Sequence, residues 1–510
     1  MPMKNFFHRF GPPLLGVLLS TAALMPLAHA QAAAPAIGAE AARHLLNRTG
    51  FAATDGEIRT FAALSRAEAA DRLLEAIRLE AAQKPPAWVN EAPIAPARLQ
   101  AMTQEERMAE LRRNVEHAFE LREWWFREML TTASPLTEKM TLFWHNHFAT
   151  SQQKVRFTPL LYQQNVMLRR NALGNFGSML RQVARDPAML IYLDAANSRK
   201  EQPNENFARE VMELFTLGEG QYTEKDIKEA ARAFTGWSVD RETGQYMFRR
   251  GIHDYGVKTV LGKTGNLDGD QVIDVLLRKP ETALFLTRKL WREFISPLPD
   301  EAAVARLAAE FRDSGYNIAR LLRAMLVSDA FYAMENRATL IKSPVELVVG
   351  TMKQFEIDTP NMRPFVLASA LLGQNVFAPP NVKGWPGGEA WINSATLLGR
   401  KQLIDRLFRN EDRMEVAMRN MDELATMTGN PPPPGREGRQ QRLMERQMGG
   451  IRWNLEKWAA GFVRDGRNAE GRESMTRVVL AMAPQAPPAA TEKPADWARQ
   501  LVTDPAYQLK

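Results

Sequence analysis

The 510-residue chain has an ordinary globular composition, with 45% apolar and 25% charged residues, which excludes a fibrous or disordered protein. Cysteine is absent, and this excludes thiol nucleophiles, thiolate metal sites and disulfide bonds. The formal charge is +7, but arginines alternate with glutamates along the helical segments and form no compact basic tract with aromatic residues, so no nucleic-acid partner is expected.

The first 30 residues have the three parts of a secretory signal peptide. Lys4 and Arg9 make a basic start, an apolar stretch from Leu14 to Leu27 follows, and Ala28-His29-Ala30 has the small-x-small pattern of a cleavage site. The alternative is a membrane anchor, which needs about 20 unbroken apolar residues, whereas proline interrupts this stretch. We therefore expect cleavage near Ala30 and a periplasmic or secreted chain of formal charge +5, with no transmembrane segment in the mature protein.

Capping residues and a 3.6-residue apolar period predict helices along most of the mature chain. The pairs Ser65/Glu68 and Thr103/Glu106 are capping boxes, and Ser134-Pro135 opens the next helix. Up to residue 190 the predicted helices cover residues 41–46, 55–64, 65–82, 103–130, a segment starting at 135, and two pieces between 158 and 190. Thr223 with Asp226 opens another helix, and later helices are predicted at 268–277, 281–295, 301–314, 318–327, 344–355, 364–371 and 394–410.

Residues 240–262 differ, because runs rich in β-forming residues replace the helical period. Gln245 to Phe248 and Lys258 to Leu261 flank the turn His253-Asp254, which predicts a small β-hairpin-like or irregular excursion. The expected fold class is therefore mainly α, a large multi-helix domain that carries this excursion. The predicted organisation is a signal peptide at 1–30, a flexible leader at 31–39, the main helical domain at 40–410, a linker region at 411–439 and a C-terminal helical tail at 440–510.

A polar loop beginning at Asp194 leads directly into a helix that mixes carboxylates with aromatic residues. Asn204 or Glu205 can cap this helix, and Gly218 and Gly220 can end it. Its apolar face carries Phe207, Val211, Leu214 and Phe215, and its polar stripe carries Asn206, Glu210 and Glu213 with Arg209 one step away. Glu210 borders the apolar face, so it is either a partly desolvated carboxylate or one end of an exposed stripe.

Five further motifs accompany this stretch in a fixed order: Phe143–Phe148, Phe234–Trp237, His253–Lys258, Lys342–Glu346 and Asn381–Gly388. With them the chain resembles a bacterial family known as domain of unknown function 1800, from about Ala41 to the C-terminus. The resemblance implies an exported, mainly helical protein, and it supplies no established reaction or catalytic residues. It also implies a partner, since members of the family are often encoded beside secreted proteins of unknown function related to sulfatases.

The pair His145 and His147 suggests a metal site, but its spacing does not suit a continuous helix. His147 falls on the apolar face with Trp144 and Phe148, and His145 is about 160° away, so the two cannot bind one ion there. His147 is therefore expected to point inwards, either as a core residue with satisfied hydrogen bonds or as part of a site beside buried carboxylates.

One partly buried polar pocket is the sharpest site prediction. The His253-Asp254 turn follows the polar helix after one intervening helix, so a return of the chain to the same neighbourhood is easy. The candidate catalytic residues are His147, Glu205, Asn206, Arg209, Glu210, Glu213, His253 and Asp254. His147 or a glutamate of raised pKa would act as a general base, or the same groups would close a structural hydrogen-bond network. Cofactors are unknown, and so is metal binding, because no close ligand pair such as His-Glu-x-x-His occurs.

Residues 373–392 form a predicted loop rich in glycine, proline and tryptophan. Trp385 and Trp391 either fix this loop onto the helical core or stack on sugar rings. Two functional classes therefore stay open for the chain. The first is an exported binding or scaffold partner of another exported protein, and the alternative is a periplasmic hydrolase that uses the His/Glu/Asp pocket, with or without a metal.

Overall fold

The computed structural model describes residues 34–409, 453–463, 468–489 and 493–510, and within this part residues 36–510 form one compact unit. The fold is mainly α with a minor β component, as the sequence predicts. Of the helices in the described part of the chain, none is long and apolar enough to cross a membrane. The predicted linker at 411–439 lies outside the described residues.

Nine α-helices precede the polar loop between residue 34 and the start of that loop. The predicted boxes Ser65/Glu68 and Thr103/Glu106 cap two of them, and a third box, Thr54/Glu57, caps another. The helices are α1 (Gly38–Thr49), α2 (Asp55–Ala62), α3 (Arg66–Glu75), α4 (Pro96–Ala101), α5 (Gln104–Thr131), α6 (Pro135–His147), α7 (Thr158–Asn171), α8 (Phe176–Ala184) and α9 (Pro187–Tyr192).

The third helix is shorter than predicted, because it ends at Glu75 instead of continuing to residue 82. Side chains of later helices bind the backbone amides that a longer helix would need. The Arg78 amide donates to Thr137 Oγ1 at 3.4 Å, and the Gln83 amide donates to Glu128 Oε2 at 2.8 Å. Tertiary hydrogen bonds therefore replace the intrahelical ones at this point.

The polar loop leads into α10 (Glu205–Met212), whose first turn is capped by Asn204, with its Oδ1 accepting from the Phe207 amide at 3.1 Å. The helix does not end there, because Glu213–Leu217 continues it as a π-helical turn. Gly218 closes the turn with φ +83° and donates its amide to the Glu213 carbonyl at 3.1 Å. Helix α11 (Glu224–Ala233) follows, and its start is the predicted box of Thr223 and Asp226.

Two small antiparallel hairpins form the predicted excursion. Strand β1 (Trp237–Val239) pairs with β2 (Tyr246–Phe248), and β3 (Lys258–Val260) pairs with β4 (Lys263–Gly265). The two predicted strand positions are right, but these strands do not pair with each other across the His253-Asp254 turn. Hydrogen bonds fix that turn to α11, so each strand pairs with a neighbour in sequence instead.

Eleven helices complete the described chain. They are α12 (Gly269–Arg278), α13 (Pro280–Phe294), α14 (Glu301–Asp313), α15 (Ile318–Val327), α16 (Asp329–Tyr332), α17 (Pro344–Gln354), α18 (Arg363–Leu371), α19 (Ser394–Arg409), α20 (Leu455–Ala460), α21 (Asn468–Val479) and α22 (Pro494–Thr503). Most boundaries lie within one residue of the predicted ones between 268 and 410, since this region has strong capping and proline signals.

The apolar side chains gather in two large clusters. The first is built mainly from α1 to α3, α8 to α15 and the π-helical turn, and the second from α5, α17 and the C-terminal helices α20 to α22. Helix α6 lies between them, since Trp144 belongs to the first cluster and Leu142 to the second. Almost every residue of α6 is therefore buried, and its two histidines face different cores.

Candidate functional site

The π-helical turn at Glu213–Leu217 is the centre of the candidate site. Such turns are rare and frequently occur at functional sites, because the extra residue leaves a local irregularity in the helical hydrogen bonding. Here it rotates the chain so that the Phe215 carbonyl accepts a hydrogen bond from His147, while the Glu213 side chain lies beside Tyr222 and Lys383. Two separate groups of polar residues therefore flank one turn.

The first group joins His147 with Lys289, a residue of α13. His147 is buried and has a hydrogen-bond partner at each ring nitrogen. Nε2 lies 3.2 Å from the Phe215 carbonyl, which can only accept, so this nitrogen carries the hydrogen. Nδ1 lies 2.8 Å from Lys289 Nζ and accepts from it. Burial, reinforced by the charge of Lys289, holds the pKa of His147 well below its ordinary value, so the ring is neutral.

The amine of Lys289 is the other member of this pair. Burial and then the charge of Arg292 lower the pKa of Lys289 to about 8. Its Nζ lies 5.4 Å from the centroid of the Phe285 ring, and it forms no ion pair with a carboxylate in the described part of the chain. The amine of Lys289 can therefore hold or release a proton near pH 8, beside a neutral imidazole whose Nδ1 accepts its hydrogen bond.

The second group contains the two inner carboxylates of the polar stripe. Glu210 is buried, and no hydrogen bond to its carboxylate is found among the described residues. Burial and then the negative charge of Glu213 raise the pKa of Glu210. Glu213 accepts a hydrogen bond from the Tyr222 hydroxyl and lies 3.9 Å from Lys383 Nζ. Lys383 also pairs with Glu219 at 3.0 Å, and its charge opposes the rise in the pKa of Glu210 without forming an ion pair with that residue.

The remaining residues of the same helix face outwards. Arg209 makes two hydrogen bonds of 2.8 Å to Glu224 at the start of α11 and links the two helices at the surface. The side-chain hydrogen bonds to Glu224 raise the pKa of Arg209 further. Asn206 is exposed and Glu205 is partly exposed. These three polar positions therefore lie on the outer side of the polar stripe.

The His253-Asp254 turn forms a third group, on the far end of α11. Asp254 is held by the Arg232 guanidinium, with Nε at 2.7 Å and Nη2 at 3.2 Å, and these bonds lower the pKa of Asp254. The Asp254 amide donates to Thr235 Oγ1 at 2.8 Å. His253 is buried, and its Nδ1 donates to the Thr235 carbonyl at 2.7 Å. The Lys258 ammonium donates to the Asp254 and Gly256 carbonyls at 2.5 and 2.9 Å.

The structure therefore distributes the eight predicted site residues over three hydrogen-bonded groups and an outer surface. No hydrogen bond or ion pair joins these groups in the described ranges, and no cluster of three or more histidines, aspartates and glutamates there could hold a metal ion. Only the π-helical turn is shared, by His147 through Phe215 and by Glu213. The convergence of all eight residues on one pocket stays a prediction.

The expectation that only His147 is inward was wrong, since His145 is also buried. His145 faces the second core, where its Nε2 accepts from the Phe377 amide at 3.0 Å. Burial, with a contribution from the charge of Arg122, lowers the pKa of His145 to about 3. A single buried face was assumed for this helix, whereas α6 has a core on both sides.

The predicted tryptophan loop, residues 373–392, packs against the C-terminal end of α6. Trp385 is 5% exposed and its ring centroid lies 5.9 Å from that of His145. Its backbone exchanges two hydrogen bonds with the Asn146 side chain, at 2.7 and 3.1 Å. Gly384 has φ +78°, and an added Cβ would overlap Asn146. Trp391 is buried as well. The loop therefore packs its tryptophans against the helical core.

Sequence reasoning missed the residues that pair with the predicted ones: Lys289, Tyr222, Lys383, Arg232 and Thr235. Lys289 and His147 are 142 positions apart in sequence, whereas Tyr222 and Glu213 are only 9 apart. One sequence signal could have indicated Thr235 and Arg232. Thr235 lies within the Phe234–Trp237 motif, which precedes the His253 motif, and Arg232 lies two positions before it. Lys289 had none beyond its position beside Leu286 and Leu290 on an apolar face.

Comparisons with known proteins give a family and no activity. A family model described as "Protein of unknown function (DUF1800)" matches residues 44–509. No curated protein and no solved structure matches the chain. The match covers nearly the whole chain and agrees with the resemblance seen in the sequence motifs.

Proposed function

We propose that this chain, which belongs to the DUF1800 family of proteins of unknown function, is exported and acts as a binding partner of another exported protein. The basic, apolar and small-residue order of residues 1–30 supports export. The single observation that carries the binding role is a row of three contacting aromatic rings in the β excursion, of which the two outer rings are exposed. This ring-row surface consists of Phe248, His253 and Tyr255 with the neighbouring Val257, Arg249 and Arg250.

The rings of the row touch one another. The His253 centroid lies 5.3 Å from that of Phe248 and 4.6 Å from that of Tyr255. His253 is buried between them, whereas Phe248 is 39% and Tyr255 57% exposed, and Val257 beside them is 66% exposed. Exposed aromatic residues in contact are typical anchors of protein interfaces, because they offer a large area at a low cost in conformational entropy.

The hydrogen bonds of the His253-Asp254 turn hold this surface in place. Arg232 fixes Asp254, Thr235 fixes His253, and the Lys258 ammonium closes the turn from the other side. A surface whose backbone is fixed before binding pays less entropy on association. In this account the polar residues that the sequence suggested for catalysis position an interface.

The charges at the rim define the kind of partner. Arg249 and Arg250 are exposed and form no ion pair with any residue of the described chain, and Lys200 lies close by, since its amide donates to the Ile252 carbonyl at 2.8 Å. A partner with complementary chemistry has an apolar side chain for the rings and carboxylates for the rim. The proposed partner is therefore a protein with an acidic, apolar-centred surface.

Site-specific photo-crosslinking in the periplasm tests this proposal. A benzophenone amino acid at position 255 should give one discrete adduct with an exported protein, whereas the same probe at Leu298, which is 80% exposed outside the surface, should give none. N-terminal sequencing of the purified chain checks export and should begin near Gln31. Equal adducts from both positions, or none from position 255, would count against the interface, and an intact Met1 would count against export.

A hydrolase is the second candidate, and only Glu210 favours it. Glu210 is a buried residue whose carboxyl lacks a hydrogen-bond partner among the described residues and has a raised pKa, which suits a general acid. Tyr222 and Lys383 beside Glu213 would then contact a substrate. Hydrolysis of chromogenic esters or glycosides by the purified protein, abolished in Glu210→Gln with the melting temperature kept, would establish this function. Equal rates in both proteins would exclude Glu210 from it.

A further inference from the structure

We propose that Lys289 is a nucleophilic amine that forms an imine with small aldehydes, and that His147 carries the protons of this reaction. Neither residue belongs to the ring-row surface, so this site is independent of the proposed binding role. It lies at the π-helical turn, where the Phe215 carbonyl, the His147 ring and the Lys289 side chain form one continuous hydrogen-bonded line.

The geometry gives each group one role. His147 donates from Nε2 to the Phe215 carbonyl at 3.2 Å, which leaves the lone pair of Nδ1 directed at Lys289 Nζ at 2.8 Å. A carbonyl acceptor behind the ring also favours the imidazolium that forms when Nδ1 takes a proton. The same logic of a nucleophile, a base within hydrogen-bond reach and a third group that orients the base underlies many activated nucleophiles.

Lys289 differs from two buried lysines of the described chain, Lys139 and Lys342. Lys139 forms buried ion pairs with Glu293 and Glu346, which keep an amine protonated. Lys342 is buried with its Nζ 3.9 Å from the Tyr507 ring centroid, and its pKa is lowered to about 7, but no histidine contacts it. Lys289 combines a histidine contact with partial exposure of the residue, and access of a small aldehyde to its amine is part of the proposal.

The reaction balances with the groups present. The lone pair of the neutral amine adds to the aldehyde carbon, and a proton moves from nitrogen through His147 Nδ1 to the former carbonyl oxygen, which gives a carbinolamine. The second nitrogen proton follows the same path as the carbon–oxygen bond breaks and the carbon–nitrogen double bond forms. Water leaves, and His147 returns to its neutral state. Burial lowers the pKa of Lys289 to about 8, so a substantial share of the amine is neutral near pH 7.5.

Reductive trapping tests the proposal on the mature protein. Acetaldehyde with cyanoborohydride at pH 7.5 converts an imine into a stable N-ethyl lysine, which peptide mass spectrometry locates. Lys289 should be labelled roughly tenfold or more faster than exposed Lys225, because an ordinary lysine has a pKa of about 10.4 and almost no neutral amine at this pH. Lys342 is buried with a lowered pKa and no histidine contact in the described chain, so its labelling rate reports how far acetaldehyde reaches a buried amine, and it should be lower than that of Lys289.

Two outcomes would overturn the proposal. If Lys289 is labelled no faster than Lys225, Lys289 is not an activated nucleophile. The variant His147→Gln keeps a hydrogen-bonding side chain but cannot carry a proton. Labelling of Lys289 at the wild-type rate in this variant would refute the role of His147. The expected result for this variant is a rate lower by roughly tenfold or more, since general acid–base catalysis contributes about 10²–10⁴. If the variant does not fold, the labelling rates of Lys289, Lys225 and Lys342 in the unaltered protein decide whether Lys289 is a nucleophile.

Discussion

Truncation of Trp385 measures how strongly the tryptophan loop is fixed to the helical core. The side chain is 5% exposed, so Trp385→Ala removes almost its whole buried surface. An aromatic side chain of this kind buries about 150–250 Å², worth roughly 4–6 kcal/mol as an upper bound at about 25 cal/mol per Å². Measured truncations of buried aromatic residues fall at about 3–5 kcal/mol, and we expect the free energy of unfolding to fall by this amount.

Urea denaturation of the purified mature protein is the assay, followed by fluorescence and circular dichroism. The unfolding midpoint should fall with little change in the slope, since the surface exposed on unfolding changes only slightly. Leu298→Ala is the control, because this side chain is 80% exposed and its loss should change the free energy by less than about 0.5 kcal/mol. A Trp385→Ala protein that keeps its midpoint but loses retention on a polysaccharide column would refute the packing role and favour sugar binding.

Two further substitutions test the buried charges. Glu210→Gln should raise the free energy of unfolding at pH 7, because the folded-state pKa of Glu210 lies above its unfolded value, so the charged form costs stability at neutral pH. This gain should shrink as the pH falls through the folded-state pKa towards the ordinary value, and urea unfolding at pH 7 and pH 4 checks it; parallel curves would contradict the buried environment. Glu138→Gln should lower the free energy of unfolding by about 3–5 kcal/mol, because Glu138 and Arg169 form a buried pair with bonds of 2.6 and 2.9 Å. Glu301→Gln, in a pair exposed to solvent, should change it little, and equal losses in both variants would contradict this reasoning.

Local signals predicted helix positions well, because a cap and its helix are a few residues apart. The box of Thr103 and Glu106 places the start of α5 within one residue, and α10 is capped by Asn204, one of the two predicted caps. The π-helical turn has no such signal. It depends on the Phe215 carbonyl meeting His147 from another helix and on Gly218 ending the turn with a positive φ.

Pairing and burial across the chain could not be predicted in the same way. The turn between β3 and β4 is Leu261-Gly262, with positive φ at both residues, and leucine is not among the residues that usually indicate this turn. His145 looked outward because helical phase identifies one apolar face, whereas α6 has cores on both sides. Site residues such as Glu210 could be predicted because their position on their own helix indicates which way they face. Partners such as Lys289 were missed because they meet the site only through tertiary contacts.

Reversal of the rim charges tests whether the ring-row surface binds an acidic partner. The double variant Arg249→Glu with Arg250→Glu places like charges opposite an acidic partner and changes two exposed side chains that form no ion pair in the described chain. If the partner is acidic, the periplasmic adduct formed from a photo-crosslinker at position 255 should disappear in this variant, and the melting temperature should stay unchanged. An adduct of undiminished yield in the double variant would contradict the proposed interface.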